Sequence, residues 1–332
     1  MPTQTTLTGI TTPAAEASLA VKMAPIPGLR QISWFGSGRD GINTNRLTSG
    51  LALAPLGAPV IYGDNYVRLG QNGTPATAVP VIVGGEITSY TVTAGGSGFV
   101  APPAVNIIGN GSGAVGTAVI EGGVVVSITP TAVGSGYTDG LVTVSLRGGN
   151  MAALDTQIVR DAARLAAGWT WFCVGRTQSS GQPSVMIGDG GGVPAFQMVS
   201  QNANLFVSST PTIELLQNGG SSAPKIRIQA STPLTNYHAM AVTYSGGAAG
   251  TFNLYNLTDG QTGTPWVASN TLVTAQSVHI GPNGTSGAPE GLFSTITDVC
   301  MDFIADGAIS LVNLQSHYAS IKSYLALRSI TC

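Results

Sequence analysis

The 332 residues of this chain are 43% apolar but only 8% charged, with 45 glycines and a net charge of −2, whereas about a quarter of the residues of a typical soluble domain are charged. The apolar content excludes a disordered chain, and the small negative charge offers no basic field for nucleic acid. No apolar run reaches the roughly 18 residues that a membrane-spanning helix needs, so no membrane insertion is expected.

The first 30 residues are rich in threonine, alanine and proline, and they predict an arm rather than part of a core. They have neither the basic region nor the continuous apolar region of a signal peptide, so folding in the cytoplasm is expected. A chain with so few charges suits a subunit whose surfaces meet other subunits. We therefore expect residues 1–30 to lie against another chain, and the protein to associate with other copies of itself as a trimer.

Two short strands are predicted between this arm and the glycine-rich part of the chain. The segment GAPVIYGDNYVRL, residues 57–69, predicts a strand pair interrupted at Gly63 and Asp64. Pro59 lies where an edge strand tolerates proline. Residues 31–75 are therefore predicted to supply the first strands of a sandwich that later segments complete.

A tandem repeat follows these strands. The segments AVPVIVGGEITSYTVTAGGSGFV and GTAVIEGGVVVSITPTAVGSGY each contain a strand, Gly-Gly, a second strand and Gly-Ser-Gly-aromatic, and Tyr137 follows Phe99 by 38 residues. Gly-Gly between two strands indicates a hairpin, because the tight turn needs positive φ. Two such units can stack and bury a face that neither buries alone. We predict that residues 76–149 form a small β-repeat module inserted into the sandwich.

The remainder, residues 150–332, is predicted to be a jelly-roll domain with a closing helix. The segment NMAALDTQIVRDAARLAAG has Leu154, Ile158 (or Val159), Ala162 and Leu165 at helical spacing, which predicts a helix that ends at Gly168. After it, about eight short strands separated by glycine, asparagine and serine turns indicate a sandwich. The final helix is predicted to begin at Ser310 as N-cap. Its apolar stripe would comprise Leu311, Leu314, Tyr318, Ile321 and Leu325.

Residues 169–328 resemble the laminin-G-like, concanavalin-type jelly roll. The resemblance is carried by YHAMAVTYS followed by FNLYNLTDG, by HIGPNG, and by ADGAISLVNLQSHYASIKSYLA. The chain departs from the family pattern at Tyr237, where a tryptophan is usual, and at Asn313, where an acidic residue is usual. The fold class implied is all-β: a concanavalin/laminin-G-like jelly-roll sandwich with an inserted β-repeat module and a C-terminal helix.

The Gly-Ser-Gly-aromatic tandem of residues 78–147 resembles the glycine-rich β-repeats of bacteriophage virion proteins, especially tail fibres and appendages. That resemblance implies a structural component of a phage virion, assembled in the host cytoplasm. Its partners would be other virion proteins, reached through the N-terminal arm, and host-surface glycans. The alternative within the same class is a capsid decoration, or cement, protein that stabilises the head lattice.

The histidines and cysteines offer little for catalysis or metal binding. His238 is predicted to pack in a strand, His279 to lie at a turn and His317 to lie on a helix surface, all without partners at metal-ligand spacing. The sequence GSGAVG at residues 111–116 leads into a β-run rather than a helix, so it predicts no phosphate site. The thiols are predicted to be free and buried. We predict no catalytic residue, no metal and no cofactor.

The paired acids Asp298 and Asp302 fall on one face of a predicted strand, where they could flank a substrate or a calcium ion. Alternation along a solvated strand is the simpler interpretation. A polysaccharide-degrading enzyme is disfavoured, because acidic pairs and histidines are so scarce.

A carbohydrate site is predicted at one end of the sandwich. Trp266, in the polar segment TGTPWVASN, is the best exposed aromatic candidate for stacking on a sugar. Asp189 in IGDGGG and Asp259 in LTDGQ are predicted turn residues that would complete the site. The alternative is a purely structural protein with no ligand.

Overall fold

Strands dominate the computed structural model. It describes residues 25–35, 53–57, 61–71, 73–147, 149–159, 161–178, 184–189, 196–201, 211–217, 226–247, 249–267, 277–281 and 296–332. The described helices are α1 (Ala162–Ala167) and α2 (Leu311–Ala326). In chain order the described strands are β1 (Leu29–Trp34), β2 (Ala54–Gly57), β3 (Ile61–Tyr62), β4 (Val67–Gln71), β5 (Thr77–Val83), β6 (Glu86–Ala94), β7 (Ala104–Gly109), β8 (Ser112–Glu121), β9 (Val124–Ser135), β10 (Val142–Arg147), β11 (Met151–Val159), β12 (Trp169–Thr177), β13 (Ser184–Asp189), β14 (Phe196–Gln201), β15 (Thr212–Gln217), β16 (Ile226–Gln229), β17 (His238–Tyr244), β18 (Thr251–Asn256), β19 (Gln261–Thr262), β20 (Trp266–Val267), β21 (Ser277–Ile280) and β22 (Thr297–Asp306).

The fold is an all-β jelly-roll sandwich of two antiparallel sheets. One sheet contains β22, β12, β17 and β18 in that order, with β1 and β4 along the free side of β22. The other runs β11, β21, β13, β14, β15 and β16. Strand β4 pairs with both β22 and β11, and therefore joins the two sheets. Side chains from both sheets, among them Trp171, Ile187, Leu215 and Phe252, meet in one core.

Strand β12 is buried on both faces because it lies between two apolar layers. Trp171 and Cys173 point into the core between the sheets, whereas Phe172 and Val174 point the other way. This second face is covered by α2. The continuous apolar run in the sequence follows from burial on both sides.

The predicted closing helix is α2, which forms the third layer. Ser310 is its N-cap, with its hydroxyl accepting a hydrogen bond from the Asn313 N–H. Four members of the predicted apolar stripe are buried: Leu314, Tyr318, Ile321 and Leu325. Leu311 packs against the same cluster while partly exposed.

Replacement of Ser310 by alanine is expected to lower the free energy of unfolding by about 1 kcal/mol, because one backbone N–H of the first turn loses its acceptor. Urea unfolding followed by circular dichroism measures the change. Ser316→Ala on the exposed side of α2 is the control and should cost less. Equal losses in the two variants would contradict the capping role.

The helix predicted in residues 150–168 is mostly wrong. Met151–Val159 is strand β11, and only Ala162–Ala167 is helical, ending at Gly168 as predicted. Strand β11 pairs with β2, β4 and β21, so it has a partner on each edge. Its buried Leu154 packs into the sandwich core. These contacts override the weak helical period.

The predicted arm also needs correction at its C-terminal end. Strand β1 pairs antiparallel with β22, and Ile26 is buried in the layer beneath α2. The boundary at residue 30 therefore falls inside a strand that completes one sheet, because the exposed edge of β22 would otherwise lack a partner there. Residues 1–24 lie outside the described residues, so the predicted contact of the arm with another chain stays a prediction.

The tandem repeats form a six-stranded sheet of their own, with the order β6-β5-β10-β7-β8-β9. The predicted Gly-Gly hairpins are confirmed: residues 84–85 and 122–123 all have positive φ and close β5–β6 and β8–β9. The flanking strands β4 and β11 pair with each other on the sandwich side of this sheet, while β4 also pairs with β22. The domain boundaries at 75/76 and 149/150 are a proposal.

Each repeat contacts the Gly-Gly turn of the other repeat. The Phe99 N–H donates to Gly123 O in the second Gly-Gly turn, and the Tyr137 N–H donates to Gly85 O in the first, each at 3.0 Å. Phe99 is buried with Val125 of the second repeat, whereas Tyr137 is buried with Ile87 of the first. The repeats are therefore mutually dependent rather than two independent units.

Candidate functional site

A row of charged side chains crosses three neighbouring strands of the sandwich. Asp298 of β22 is directly opposite Arg68 of β4 on one side and Arg176 of β12 on the other. Side chains at opposed positions of antiparallel strands reach each other. We call Arg68, Asp298 and Arg176 the arginine row.

The Asp298 carboxylate receives hydrogen bonds from both guanidinium groups. Arg68 Nε donates to Oδ1 at 2.7 Å and Arg68 Nη2 to Oδ2 at 3.1 Å. Arg176 Nε and Nη2 both donate to Oδ2, at 3.2 and 3.1 Å, and Gln178 Nε2 donates to the same oxygen. The Asp298 side chain is fully buried, while the side chains of Arg68 and Arg176 remain 26% and 32% exposed.

Two tyrosine rings hold these guanidinium groups in place. The Arg68 guanidinium carbon lies 5.0 Å from the centre of the Tyr66 ring, and that of Arg176 lies 4.6 Å from the centre of the Tyr237 ring. Stacking of this kind is favourable because the ring face is electron-rich. The hydrogen bond that Arg68 donates to Asp298 raises the pKa of Arg68, and burial raises the pKa of Tyr237. The arrangement is charged, ordered and partly open to solvent.

The chemistry of the arginine row suits binding rather than catalysis. Its carboxylate is buried and engaged by several donors, so it is not available as a general base or a nucleophile. Guanidinium groups that are planar, charged and fixed on aromatic rings recognise anionic oxygens. Sequence reasoning missed this site because its members lie more than a hundred residues apart; the alternation of Tyr66 and Arg68 was the local signal.

Trp266, predicted to be an exposed sugar platform, is only partly exposed. Its ring stacks on Phe252 with the centres 5.3 Å apart, and it packs against the core between the sheets. Strand β20 pairs with β18, which gives the indole a hydrophobic partner that the polar loop sequence did not reveal.

Of the two acids predicted to complete that site, Asp259 lies away from Trp266. Asp259 lies in the turn after β18, where it accepts hydrogen bonds from Ser231 N at 2.7 Å and Asn256 Nδ2 at 3.0 Å. Trp266 pairs with Phe252 near the opposite end of β18, so the structure does not bring Trp266 and Asp259 together. The Asp189 backbone ends β13, and its side chain lies outside the described residues.

His238 packs in a strand, as predicted, and belongs to a closed polar network. Its Nε2 lies 3.1 Å from Thr232 Oγ1 and its Nδ1 lies 3.3 Å from Asn256 Oδ1. Thr232 also donates to Asp259 Oδ1. Because these groups satisfy one another, the network fastens the loop before β17 to the turn after β18.

The predictions for the other two histidines are wrong. His279 lies within β21 rather than at a turn, and His317 lies on the buried face of α2, its ring edge-on to Phe303. Burial lowers the pKa of both imidazoles. Among the described residues, no group of three or more His, Cys, Asp or Glu side chains is arranged to hold a metal ion. The three thiols are free and buried.

The prediction that Asp298 and Asp302 lie on a solvated strand face is wrong, because both side chains are fully buried. A register shift in the pairing of β22 with β12 leaves Cys300 as an extra residue. A bulge of this kind reverses the alternation of side chains beyond it. Asp298 therefore points to the face that α2 covers, whereas Asp302 points toward the core, opposite Cys173.

Asp302 is an unusual carboxyl group in the sandwich interior. Its Oδ2 accepts a hydrogen bond from Gln31 Nε2 at 2.5 Å, and Ser33 of β1 lies directly opposite Asp302. Its Oδ1 and Gln31 Oε1 are buried without a hydrogen-bond partner among the described residues. Burial raises the pKa of Asp302 to about 8.

No helix within the described ranges is both long and apolar enough to cross a membrane. No protein-family model and no curated protein matches the chain.

The chain is similar to several solved domains, among them carbohydrate-binding domains and the binding domain of a neurotoxin. The Ruminococcus gnavus IT-sialidase CBM40 bound to α2,3-sialyllactose is 9% identical, with a TM-score of 0.36, covering 49% of this chain and 94% of that one. The Emp47p carbohydrate recognition domain is 13% identical, with a TM-score of 0.32 and coverage of 47% and 78%. The botulinum neurotoxin serotype G binding domain is 9% identical, with a TM-score of 0.36 and coverage of 77% and 51%. The ligands in these names belong to those proteins.

Proposed function

We propose that this chain is a non-enzymatic structural component of a bacteriophage virion, of the tail-fibre or appendage type, and that its jelly-roll sandwich binds carbohydrate on the host surface. The observation that carries the binding role is the arginine row with its two tyrosines. It combines hydrogen-bond donors, aromatic rings and partial exposure, which are the features of a polar ligand site, and its carboxylate is sequestered.

The virion role is supported by the repeat module. Its glycine-rich tandem resembles phage appendage repeats, and its strands leave several large apolar side chains exposed. They include Val79, Val81, Val83, Ile108, Val115 and Val126. Exposed apolar surface of this kind favours association with other subunits. Association as a trimer and attachment to other virion proteins through the N-terminal arm belong to the same proposal.

Two measurements test the proposed function. Gold-labelled antibody against the protein should decorate the tail of purified particles, whereas regular label over the head would favour the capsid decoration alternative. The purified protein should bind host cells, and isolated host polysaccharide should compete for this binding without becoming shorter on size-exclusion chromatography. Shortened polysaccharide would contradict the non-enzymatic role, and failure to bind any host surface would remove the carbohydrate role.

The site predicted from Trp266, Asp189 and Asp259 stays a prediction, which the same assay can test. Trp266→Ala should leave host-cell binding within about twofold of the unchanged protein if the arginine row is the site. A loss of binding by a folded Trp266→Ala protein would instead place the ligand at that end of the sandwich.

A further inference from the structure

The arginine row carries one more positive charge than its carboxylate needs. Arg68 already contacts both oxygens of Asp298, through Nε and Nη2, and forms the two-pronged pair that satisfies a carboxylate. Arg176 adds a second full charge to the same group. With two guanidinium groups and one carboxylate, the row has a net charge of +1, carried by side chains that are partly exposed.

Arg176 has a charged hydrogen-bond donor that a ligand from outside the chain can use. It contacts Asp298 only through Nε and Nη2, and its Nη1 has no hydrogen bond to any residue in the described ranges. Its guanidinium group is held between the Asp298 carboxylate and the Tyr237 ring. A guanidinium group already fixed in one plane loses little further freedom when a ligand binds.

We propose that the arginine row binds the anionic oxygens of an acidic host-surface polysaccharide, a sugar carboxylate or a phosphate, with Arg176 as the principal contact. The inference rests on the proposed carbohydrate-binding role and names its ligand class. Carboxylate and phosphate both present paired oxygens that match the donors of a guanidinium group. The partly exposed ring of Tyr66 supplies apolar surface on which the adjoining sugar or polyol lies.

Isothermal titration with three probes tests the inference: an oligogalacturonate for carboxylate, a glycerol-phosphate oligomer for phosphate, and a neutral maltooligosaccharide. We expect binding to at least one acidic probe and weaker or absent binding to the neutral one. Arg176→Gln should weaken acidic binding by about 10- to 100-fold, the range for a hydrogen bond to a charged group. Its fold should persist, because Asp298 keeps its pair with Arg68.

Arg227→Gln is the matched control. It removes the same charge from an arginine that is 52% exposed and paired with one acid, Glu214, and should change affinity by less than twofold. Equal weakening by both variants would mean a diffuse charge effect and would overturn the inference. If Arg176→Gln does not fold, Arg176→Lys is the substitute. It keeps the charge but loses the paired planar donors of the guanidinium group, and it should still weaken binding of the acidic probes several-fold. Unchanged binding by Arg176→Lys would then count against the inference.

The outcomes separate this inference from the proposed function. Equal binding of the neutral and acidic probes would overturn the acidic ligand while leaving carbohydrate binding in place. Failure to bind any probe or any host polysaccharide would remove both. Preference for the oligogalacturonate over the glycerol-phosphate oligomer, or the reverse, identifies which anion the row recognises.

Discussion

Replacing Asp302 with asparagine should make the protein more stable above pH 8 and remove most of the pH dependence of its unfolding. In the folded chain burial raises the Asp302 pKa from its ordinary value of 3.8 to about 8. Between these values the folded state holds a proton that the unfolded state has released. The contribution of Asp302 to the free energy of unfolding is therefore largest below about pH 4. It falls as the pH rises and levels off above about pH 8.

The size of the effect follows from the same difference. Each tenfold change in proton affinity is worth about 1.4 kcal/mol, so the unchanged protein should lose on the order of 5 kcal/mol between pH 4 and pH 9. An asparagine keeps the shape and accepts the Gln31 hydrogen bond, but it cannot ionise. The surrounding groups, Gln31, Ser33 and Cys173, carry no charge that would offset the ionised carboxylate.

Urea unfolding at intervals from pH 4 to pH 9 measures this dependence. Asp306→Asn is the control, because Asp306 lies on the same strand but is partly exposed and paired with Arg30 and Arg164. That variant should retain the downward slope. An Asp302→Asn protein with the same slope as the unchanged chain would show that Asp302 is not the group responsible.

Phe99→Ala and Tyr137→Ala should each lower the free energy of unfolding of the repeat module by about 3–5 kcal/mol, which is the usual cost of removing a buried aromatic ring. Both rings are buried and pack against the hairpin of the other repeat. Tyr137 also contacts the backbone directly, since its hydroxyl accepts a hydrogen bond from Ala114 N. Loss of either ring opens space at both repeats.

Amide hydrogen exchange distinguishes mutual dependence from local damage. In Phe99→Ala the faster exchange should extend to β8 and β9, which contain the hairpin that Phe99 covers, and in Tyr137→Ala it should extend to β5 and β6. Val79→Ala, at a side chain that is half exposed, should alter stability by less than about 1 kcal/mol. Faster exchange confined to the mutated repeat would argue against the reciprocal arrangement.

The repeat module was the most predictable part of the fold because its signals are local. Gly-Gly between two β-runs specifies a turn with positive φ, whichever partners the strands later find. Ser310 and the stripe of α2 were predictable for the same reason, since capping and helical periodicity involve neighbours in sequence. Helix prediction failed at Met151–Val159 because the residues that decide it come from β2, β4 and β21.

The candidate site shows the opposite case. Arg68, Arg176 and Asp298 belong to three strands separated by long stretches of chain, and they meet only through cross-strand register. The one local signal, the alternation of Tyr66 and Arg68, does not by itself indicate a binding site. Sequence reasoning therefore chose aromatic and acidic residues in polar loops, of which Trp266 is held against the core.

By itself the sequence determined the class of this protein: β-rich, sparsely charged, built from a jelly roll, a glycine-rich tandem and a closing helix. These properties depend on composition, on turn residues and on short periodicities, all of which are written along the chain. The tertiary structure alone decided where the charges point. One extra residue in β22, at Cys300, turns Asp298 toward two arginines and Asp302 into the core, because a bulge exists only relative to the strand with which it pairs.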